Sequence, residues 1–281
     1  MQLRKATRQK AKIRLGLSAV SGGGKTYSAL LIAYGLCGDW TKIALIDTEN
    51  GSGDLYSHLG EYNVMPLVAP YSPERYIECI KACEQAGMEV IIIDSITHEW
   101  DGKGGILNIA DGMTGNSFTN WAKLTPRHQS FIDSILQSTC HVITTVRRKQ
   151  EYNMIQEGGK TKVEKAGMKE VTREGFEYEL TCNLELDQKH NATSSKDRTG
   201  LFADKPHFVP SIETGKMIAE WCESGLDVQT EVDEKIKQLA NVESNEEMKE
   251  FGESLPDYVK NDKRFREAAS KRVAELKNVT A

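Results

Sequence analysis

The stretch Ser18–Thr26, which reads Ser-Ala-Val-Ser-Gly-Gly-Gly-Lys-Thr, constrains the fold of this chain more than any other. It lies between an alternating apolar run at 13–17, typical of a short strand, and an apolar run at 27–36, typical of a buried helix. Glycines let backbone N–H groups turn inward around a phosphate, and a helix beginning at Lys25 adds partial positive charge at its N-terminus. The stretch therefore predicts a phosphate-binding loop between a strand and a helix.

In such a loop the lysine neutralises the β- and γ-phosphates of a nucleoside triphosphate, and the hydroxyl of Thr26 binds Mg²⁺. Ala19 departs from the usual pattern, because phosphate-binding loops carry a glycine at that position. An alanine forced to a positive φ there would cost about 1–2 kcal/mol. A glycine-rich turn with a surface lysine is the structural alternative. The residues predicted to bind ATP are Ser21, Gly22, Gly23, Gly24, Lys25, Thr26 and Tyr27.

Composition and charge narrow the class of protein. The chain has 281 residues, of which 39% are hydrophobic, which suits one medium domain with an appendage. Six scattered cysteines without metal-ligand spacing predict reduced thiols and no zinc site. No apolar run approaches the roughly 18 residues of a membrane span. The sequence therefore predicts a cytoplasmic protein that does not enter a membrane.

The charge distribution is uneven. The net charge is −5, yet six basic residues lie within the first 14 positions, and the first acidic residue is Asp39. This basic start predicts either an arm that binds a polyanion or a solvated tail. The six residues are Arg4, Lys5, Arg8, Lys10, Lys12 and Arg14.

Apolar strands and helices alternate after the loop. Strands are predicted at 42–47, 89–94 and 141–146, and helices after Ser72-Pro73 and after Thr125-Pro126. This alternation predicts an α/β fold of the P-loop NTPase type, with a mostly parallel sheet and ligands at the carboxyl ends of the strands.

The second half of the chain is less regular. Residues 147–179 form a polar insertion, a loop or hairpin, with eight basic and five acidic residues between 147 and 174, a net charge of +3. Further strands are predicted at 181–186 and 192–195 and a helix at 212–222. Beyond residue 225, helical spacing predicts a small helical appendage at 226–281. The predicted ATPase core is then 1–225.

Two carboxylates are candidates for the chemistry of hydrolysis. Asp94 ends a buried strand, as expected of the residue that holds Mg²⁺ through water. Ser95 stands where many ATPases carry a glutamate, so the base that activates water must come from elsewhere. Glu49, at the end of the neighbouring strand, is the first candidate, and Glu99 is the alternative.

The segments Ile46–Glu49 and Ile93–Ser95, followed by a strand that ends in threonine, resemble the RecA/DnaB superfamily of ATPases. More narrowly, the chain resembles phage-encoded RecA-like ATPases, including the single-strand annealing ATPases of phage recombination, over residues 10–222. The resemblance implies that Glu49 is the catalytic carboxylate and that Thr144 and Thr145 sense the γ-phosphate. Recombinases carry an amide where this chain has Val146, and the resemblance implies Arg147 or Arg148 as its substitute.

The resemblance also implies partners. Lys196 and Arg198 match a basic pair that reaches the ATP site of a neighbouring subunit, which predicts a homo-oligomer with ATP sites at its interfaces; a charged hairpin turn is the alternative. The insertion lies where recombinases bind single-stranded DNA. Its candidate contacts are Lys160, Lys162, Lys165 and Lys169 for phosphates, and Tyr152 or Phe176 for stacking.

The sequence thus predicts an ATP- and Mg²⁺-dependent ATPase, encoded by a phage or prophage. It would act with single-stranded DNA in recombination or annealing and recruit a protein through its appendage. The alternative is a DNA-independent ATPase that serves as an assembly factor or switch. A small-molecule kinase is a third hypothesis.

Overall fold

The computed structural model describes the backbone of residues 8–157 and 160–279, and their side chains except at 152–157, 160–166 and 277–279. Contacts divide the chain into two compact units. The larger unit spans residues 12–221, and among the described residues the smaller unit joins 8–11 to 222–279. The joining of these two segments in one unit was not predicted from the sequence, and the boundary at 225 stays a prediction.

An eight-stranded sheet organises the larger unit. Its strands are β1 (Arg14–Ala19), β2 (Ile43–Asp47), β3 (Asn63–Pro66), β4 (Val90–Asp94), β5 (His141–Glu157), β6 (Lys160–Glu170), β7 (Cys182–Leu186) and β8 (Ala192–Asp197). The order is β3-β2-β4-β5-β1-β7-β8, parallel up to β7, while β8 runs antiparallel to β7 and β6 pairs with the outer half of β5. The predicted α/β fold with a mostly parallel sheet is confirmed.

Helices cover the sheet. Those of the larger unit are α1 (Lys25–Cys37), α2 (Pro73–Gln85), α3 (Thr97–Asp101), α4 (Ile106–Asp111), α5 (Ser117–Gln137), α6 (Phe176–Glu179) and α7 (Ile212–Glu223), which runs past residue 221. On one face, α2 and α5 bury an apolar cluster in which the rings of Tyr76 and Phe131 lie 5.2 Å apart, over Ile91 and Ile93. Helix α1 packs against β1, β4 and β5. The continuous apolar runs of the central strands follow from this burial on both faces.

The approach of α7 to α1 depends on two glycines. A Cβ at Gly35 would lie 2.1 Å from the carbonyl oxygen of Ile212, and a Cβ at Gly215 would lie 2.2 Å from that of Ile32. No side chain fits at either position without displacing a helix backbone.

The predicted start of the fifth helix is wrong. Helix α5 begins at Ser117, where the side chain of Asn116 accepts a hydrogen bond from the N–H of Phe118 at 2.8 Å, and Pro126 lies inside the helix. Proline removes one helical hydrogen bond and usually marks a helix start. Here Leu124 and Phe131, on either side of the proline, are both buried, so packing outweighs its local preference.

The polar insertion begins as a β-hairpin. Strand β5 continues beyond Val146 as far as Glu157 and pairs with β6 through to Glu170, with a bulge between Glu151 and Tyr152. The same strand therefore lies in the centre of the sheet and in one arm of this hairpin, which we call the β5–β6 hairpin.

The smaller unit is helical after residue 227. Its helices are α8 (Val228–Leu239), α9 (Asn245–Ser254), α10 (Asp257–Lys260) and α11 (Lys263–Val279). They enclose a small core that includes Val232, Val259 and Phe265. The Ser244 hydroxyl accepts a hydrogen bond from the N–H of Glu247 at 3.1 Å and so caps the start of α9. No helix in the described part of the chain is long and apolar enough to cross a membrane.

Arg14 is buried within the fold, so the interpretation as part of a polyanion-binding arm or a solvated tail is wrong for this residue, whereas Lys10 is partly exposed. Arg14 is buried and donates to the carbonyl oxygens of Leu136 at 3.0 Å and Cys140 at 2.7 Å. Lys10 forms an ion pair of 2.7 Å with Glu223. Arg4 and Lys5 lie outside the described residues.

Candidate functional site

The loop between β1 and α1 has the backbone that its glycines predict. Gly22 and Gly24 have φ values of +79° and +82°, and Gly24 is the N-cap residue of α1. Such values cost glycine little and are unfavourable for other residues. Ala19 is the last residue of β1 and is not among the residues with positive φ, so it does not bring the strain considered above.

A cavity of about 530 Å³ opens over this loop. The carboxylates Glu49 and Asp94 line it from the ends of two neighbouring strands, β2 and β4. Gly23 does not line the cavity, and its N–H donates to the carbonyl oxygen of Val20 at 3.1 Å. The other predicted ATP contacts all line the cavity: Ser21, Gly22, Gly24, Lys25, Thr26 and Tyr27.

Lys25 presents its ammonium group to the cavity. Its Nζ donates to the carbonyl oxygens of Ala19 at 3.3 Å and Val20 at 3.2 Å. Burial lowers the pKa of Lys25, and the negative charges of Asp94 and Glu49 offset only part of this effect. Because both hydrogen-bond partners are neutral, the lysine charge remains available to an anion.

Asp94 joins two hydroxyl groups. Its Oδ2 accepts a hydrogen bond from Thr26 Oγ1, and its Oδ1 accepts one from Thr145 Oγ1, each at 2.5 Å. Burial raises the pKa of Asp94, while these two hydrogen bonds act in the opposite direction. The hydroxyl and the carboxylate expected to share a Mg²⁺ ion are thus adjacent, and as oxygen donors they fit this hard cation.

Glu49 is fixed by its neighbours. Arg147 donates from Nε to Oε1 at 2.9 Å and from Nη2 to Oε2, and Ser95 Oγ donates to Oε1 at 3.1 Å. Asp47 Oδ1 accepts the backbone N–H of Glu49 at 2.6 Å and so orients the turn. Burial by itself would raise the pKa of Glu49, but the hydrogen bonds and charge of Arg147 leave it below the ordinary value. A carboxylate in this state can accept a proton at neutral pH.

Glu99, the alternative base, lies elsewhere. Its side chain is 1% exposed, contacts His128 Nδ1 at 3.0 Å and does not line the cavity. Burial raises the pKa of Glu99. The geometry therefore favours Glu49 over Glu99 as the group that faces a ligand.

A family model described as an AAA domain, AAA_24, matches residues 11–210, which is most of the chain and all of the cavity lining. The chain belongs to this AAA domain family. Membership supports nucleotide binding and ATPase activity in general. A search of curated proteins found no match.

The two neighbouring threonines of β5, Thr144 and Thr145, have different hydrogen-bond partners. Thr145 is fully buried and acts on the cavity only through Asp94. The hydroxyl of Thr144 donates to the carbonyl oxygen of Leu15 at 3.4 Å, so it lies against β1 and not in the cavity. Phosphate sensing therefore stays a prediction for Thr145, and the hydroxyl of Thr144 is engaged elsewhere.

The residues expected to contact partners lie away from the cavity. Lys196 and Arg198 both donate to the carbonyl oxygen of Tyr178, and neither lines the cavity. Their contact with a neighbouring subunit stays a prediction. Phe176 is 4% exposed, so its interpretation as a stacking surface is wrong, whereas Tyr178 is 67% exposed. The Nζ atom of Lys169 lies 3.6 Å from Oε1 of Glu151. The side chains of Tyr152, Lys160, Lys162 and Lys165 lie outside the described residues.

Sequence reasoning missed part of the cavity wall. Tyr56 lies in a short 3₁₀ helix, Gly53–Leu59, that follows Glu49, and its ring centroid lies 5.8 Å from that of Tyr27. Val209, which is 58% exposed, and Pro210 follow β8, and together these side chains offer apolar surfaces against which a base can pack. Tyr56 could have been found as an aromatic residue close behind Glu49. The other two carry no local signal. The wall also includes Ser52, Arg147 and His190.

Proposed function

We propose that this AAA domain is a RecA-type ATPase in which Glu49 accepts the proton of the water that attacks ATP. One observation carries the proposal. A single cavity contains the glycine loop, the ammonium group of Lys25, the Thr26–Asp94 pair and an ionised carboxylate from the next strand. The loop N–H groups and Lys25 would bind the phosphates, and the apolar wall near Tyr56 would hold the base.

The roles of the remaining groups follow from their contacts. Thr26 and Asp94 would hold Mg²⁺, which when bound supplies charge neutralisation at the phosphates. Ser95 and Asp47 keep Glu49 in place, and Arg147 keeps it ionised. The proton that leaves water would be transferred to a carboxylate oxygen of Glu49.

Substituting the base separates binding from turnover. We expect Glu49→Gln to retain ATP and to release phosphate about 10²–10⁴ times more slowly, because the amide cannot accept the proton. Lys25→Ala should weaken ATP binding itself. Glu99→Gln is the matched control and should keep its turnover within a few-fold. Normal hydrolysis by Glu49→Gln together with loss in Glu99→Gln would reassign the base.

We further propose that the β5–β6 hairpin binds single-stranded DNA and that the protein supports phage-type recombination or annealing in a bacterial host. The net charge of +3 between residues 147 and 174 supports a contact with phosphates. The direct continuation of β5 from the sheet into the hairpin supports a connection with the ATP site.

One observation favours the alternative of a DNA-independent switch that binds protein. A cavity of about 390 Å³ at the base of the hairpin is lined by more carboxylates than basic groups. Carboxylates repel a phosphate backbone and suit a basic protein segment. The acidic residues are Glu151, Glu170, Glu174, Glu177 and Glu185, and the basic residues are Arg148, Lys169 and Arg173.

A DNA titration separates the two proposals. For a DNA-dependent ATPase, phosphate release should rise with single-stranded DNA, and DNA binding should fall steeply between about 50 and 200 mM salt. Turnover that DNA leaves unchanged, with no shift of labelled DNA in a gel, would favour the protein-binding switch. The helices α8–α11 would then be the first segment to test for a protein partner.

A further inference from the structure

The turn between β7 and β8 is tightly held. The N–H of Asp187 donates to the carbonyl oxygen of Asn191 at 2.9 Å, and the N–H of His190 donates to that of Asp187 at 3.1 Å. The Asp187 carboxylate accepts the N–H groups of Lys189 and Asn191 at 2.7 and 2.9 Å. These bonds fix the backbone of the turn and with it the start of the His190 side chain.

The backbone of His190 is left-handed, a conformation that costs glycine least and that histidine adopts more often than most other side chains. Its φ is +65°, at the last position of a three-residue hairpin loop where glycine is the usual choice. Left-handed backbone is uncommon for residues other than glycine and brings strain, and strained positions cluster at ligand sites. Glycine would fit this turn with less strain, which makes the imidazole a candidate for a role at the neighbouring cavity.

The imidazole lies against the phosphate-binding loop. A Cβ built on Gly24 would be 2.7 Å from His190 Nδ1, and both residues line the 530 Å³ cavity. Gly24 is the N-cap residue of α1, directly before Lys25. In loops of this type the backbone N–H groups hold the α- and β-phosphates. The exposed imidazole of His190 therefore lies next to the place where those phosphates would lie.

We propose that His190 donates a hydrogen bond to an α- or β-phosphate oxygen of the bound nucleotide. This inference rests on the proposed function, because it assumes that the cavity binds a nucleotide. Of the two cationic side chains in the cavity, Arg147 is engaged by Glu49, which leaves Lys25 as the group with only neutral partners. The imidazole of His190 adds a hydrogen-bond donor from the β7–β8 turn. It faces a phosphate-binding loop in which Ala19 stands where the first glycine is usual.

His190→Gly is an informative variant, because it removes the imidazole and relieves the backbone at the same time. We expect its melting temperature to equal or exceed that of the wild type. We expect its Kd for both ADP and ATP, measured by displacement of a fluorescent nucleotide, to rise about tenfold through loss of one charge-assisted hydrogen bond. Saturating ATP should restore turnover to within about threefold, since water activation is left intact.

Three further variants define the result. His190→Gln keeps an N–H donor and should recover part of the affinity. Lys189→Ala removes a charge from the same turn without altering the cavity wall, and His207→Ala removes an imidazole elsewhere, so both should bind nucleotide as the wild type does.

Several outcomes would overturn the inference. These are wild-type affinity for ADP and ATP in His190→Gly, an equal loss of affinity for adenosine, or a melting temperature that falls together with the affinity. The last two would assign His190 a role in shaping the loop. Absence of nucleotide binding by the wild type would instead remove the proposed function itself, and a wild type that binds ATP without hydrolysing it would leave the His190 test valid.

Discussion

Arg147 determines the charge state of the predicted catalytic carboxylate. Its guanidinium makes two hydrogen bonds to Glu49, and this pairing outweighs the burial that would otherwise raise the pKa of Glu49. The lowered pKa keeps Glu49 deprotonated at neutral pH, which is the charge state that accepting a proton requires.

Removing the guanidinium should move the pH dependence of turnover. In the wild type the lowered pKa of Glu49 keeps the base ionised as pH falls, so the acidic limb lies below the ordinary range of a glutamate. In Arg147→Met, burial is opposed mainly by the hydrogen bond from Ser95 and no longer by a guanidinium, so this pKa should rise and we expect the acidic limb of kcat to move to higher pH. Arg148→Met is the matched control, because Arg148 pairs with Glu185. Identical acidic limbs in the two variants would contradict the assignment.

His141 predicts how stability depends on pH. The ring is 6% exposed, and its Nδ1 accepts the backbone N–H of Ile13 at 3.1 Å. Burial, with the charges of Lys12 and Arg14, lowers its pKa to about 3. The unfolded chain binds a proton at this site below about pH 6.5, whereas the folded protein does not until about pH 3. As pH falls through this window, protonation of His141 stabilises the unfolded state, so the free energy of unfolding decreases.

We expect this residue to steepen the fall in unfolding free energy between about pH 6.5 and 3, by at most about 1.4 kcal/mol per pH unit. His141→Asn keeps an acceptor for Ile13 and removes the titration, so its urea-unfolding profile should be flatter over this range. His207→Asn, at an exposed site, should follow the wild type. Parallel profiles for His141→Asn and the wild type would contradict the prediction.

At the scale of elements, the close approach of α1 and α7 requires a glycine on each helix. Gly35→Ala and Gly215→Ala each place a methyl group within about 2.2 Å of a carbonyl oxygen on the other helix. We expect each substitution to destabilise the larger unit by about 1–3 kcal/mol, measured by urea unfolding, although alanine is the better helix former. Gly252→Ala in α9 meets nothing within 4 Å and should stabilise its helix by about 0.5–1 kcal/mol.

The sequence was sufficient for the elements whose signal is local. The apolar runs that became β2 and β4 and the glycine loop before α1 were all predicted, because burial on both faces and positive φ leave a direct mark on residue type. The start of α5 was not predicted, because Pro126 carries a local signal that packing overrides.

The candidate site likewise contains residues that the sequence predicted and residues that it did not. The loop, Glu49 and Asp94 are adjacent because parallel strands end at one edge of a sheet, a rule that needs no tertiary detail. His190 and Val209 reach the same cavity from the β7–β8 turn and from the chain after β8. Both are placed there by the antiparallel pairing of β8 with β7. No local pattern of residues predicts this pairing.

At the scale of the whole molecule, the resemblance predicts that Lys196 and Arg198 complete the ATP site of a neighbouring subunit. Neither reaches the cavity of its own subunit. If they act on a neighbour, Lys196→Ala and Lys25→Ala subunits, each inactive alone, should regain up to about a quarter of wild-type turnover when mixed, because some interfaces then combine two intact partners. A mixture of Lys25→Ala and Glu49→Gln subunits is the control and should not recover, since both residues line one cavity. No recovery in the first mixture would contradict the shared site.

Strand β5 carries Thr145 beside Asp94, Arg147 on Glu49 and, from Arg148 onward, the ladder of the β5–β6 hairpin. No turn or loop separates these positions, and the bulge between Glu151 and Tyr152 is the one irregularity in the described ladder, so the hairpin and the carboxylates belong to one continuous strand. Force on the outer part of the hairpin would therefore be transmitted along this strand to the salt bridge between Arg147 and Glu49. Inserting two glycines after Glu151 would supply a joint, and any influence of a hairpin ligand on turnover should then fade while the basal rate persists.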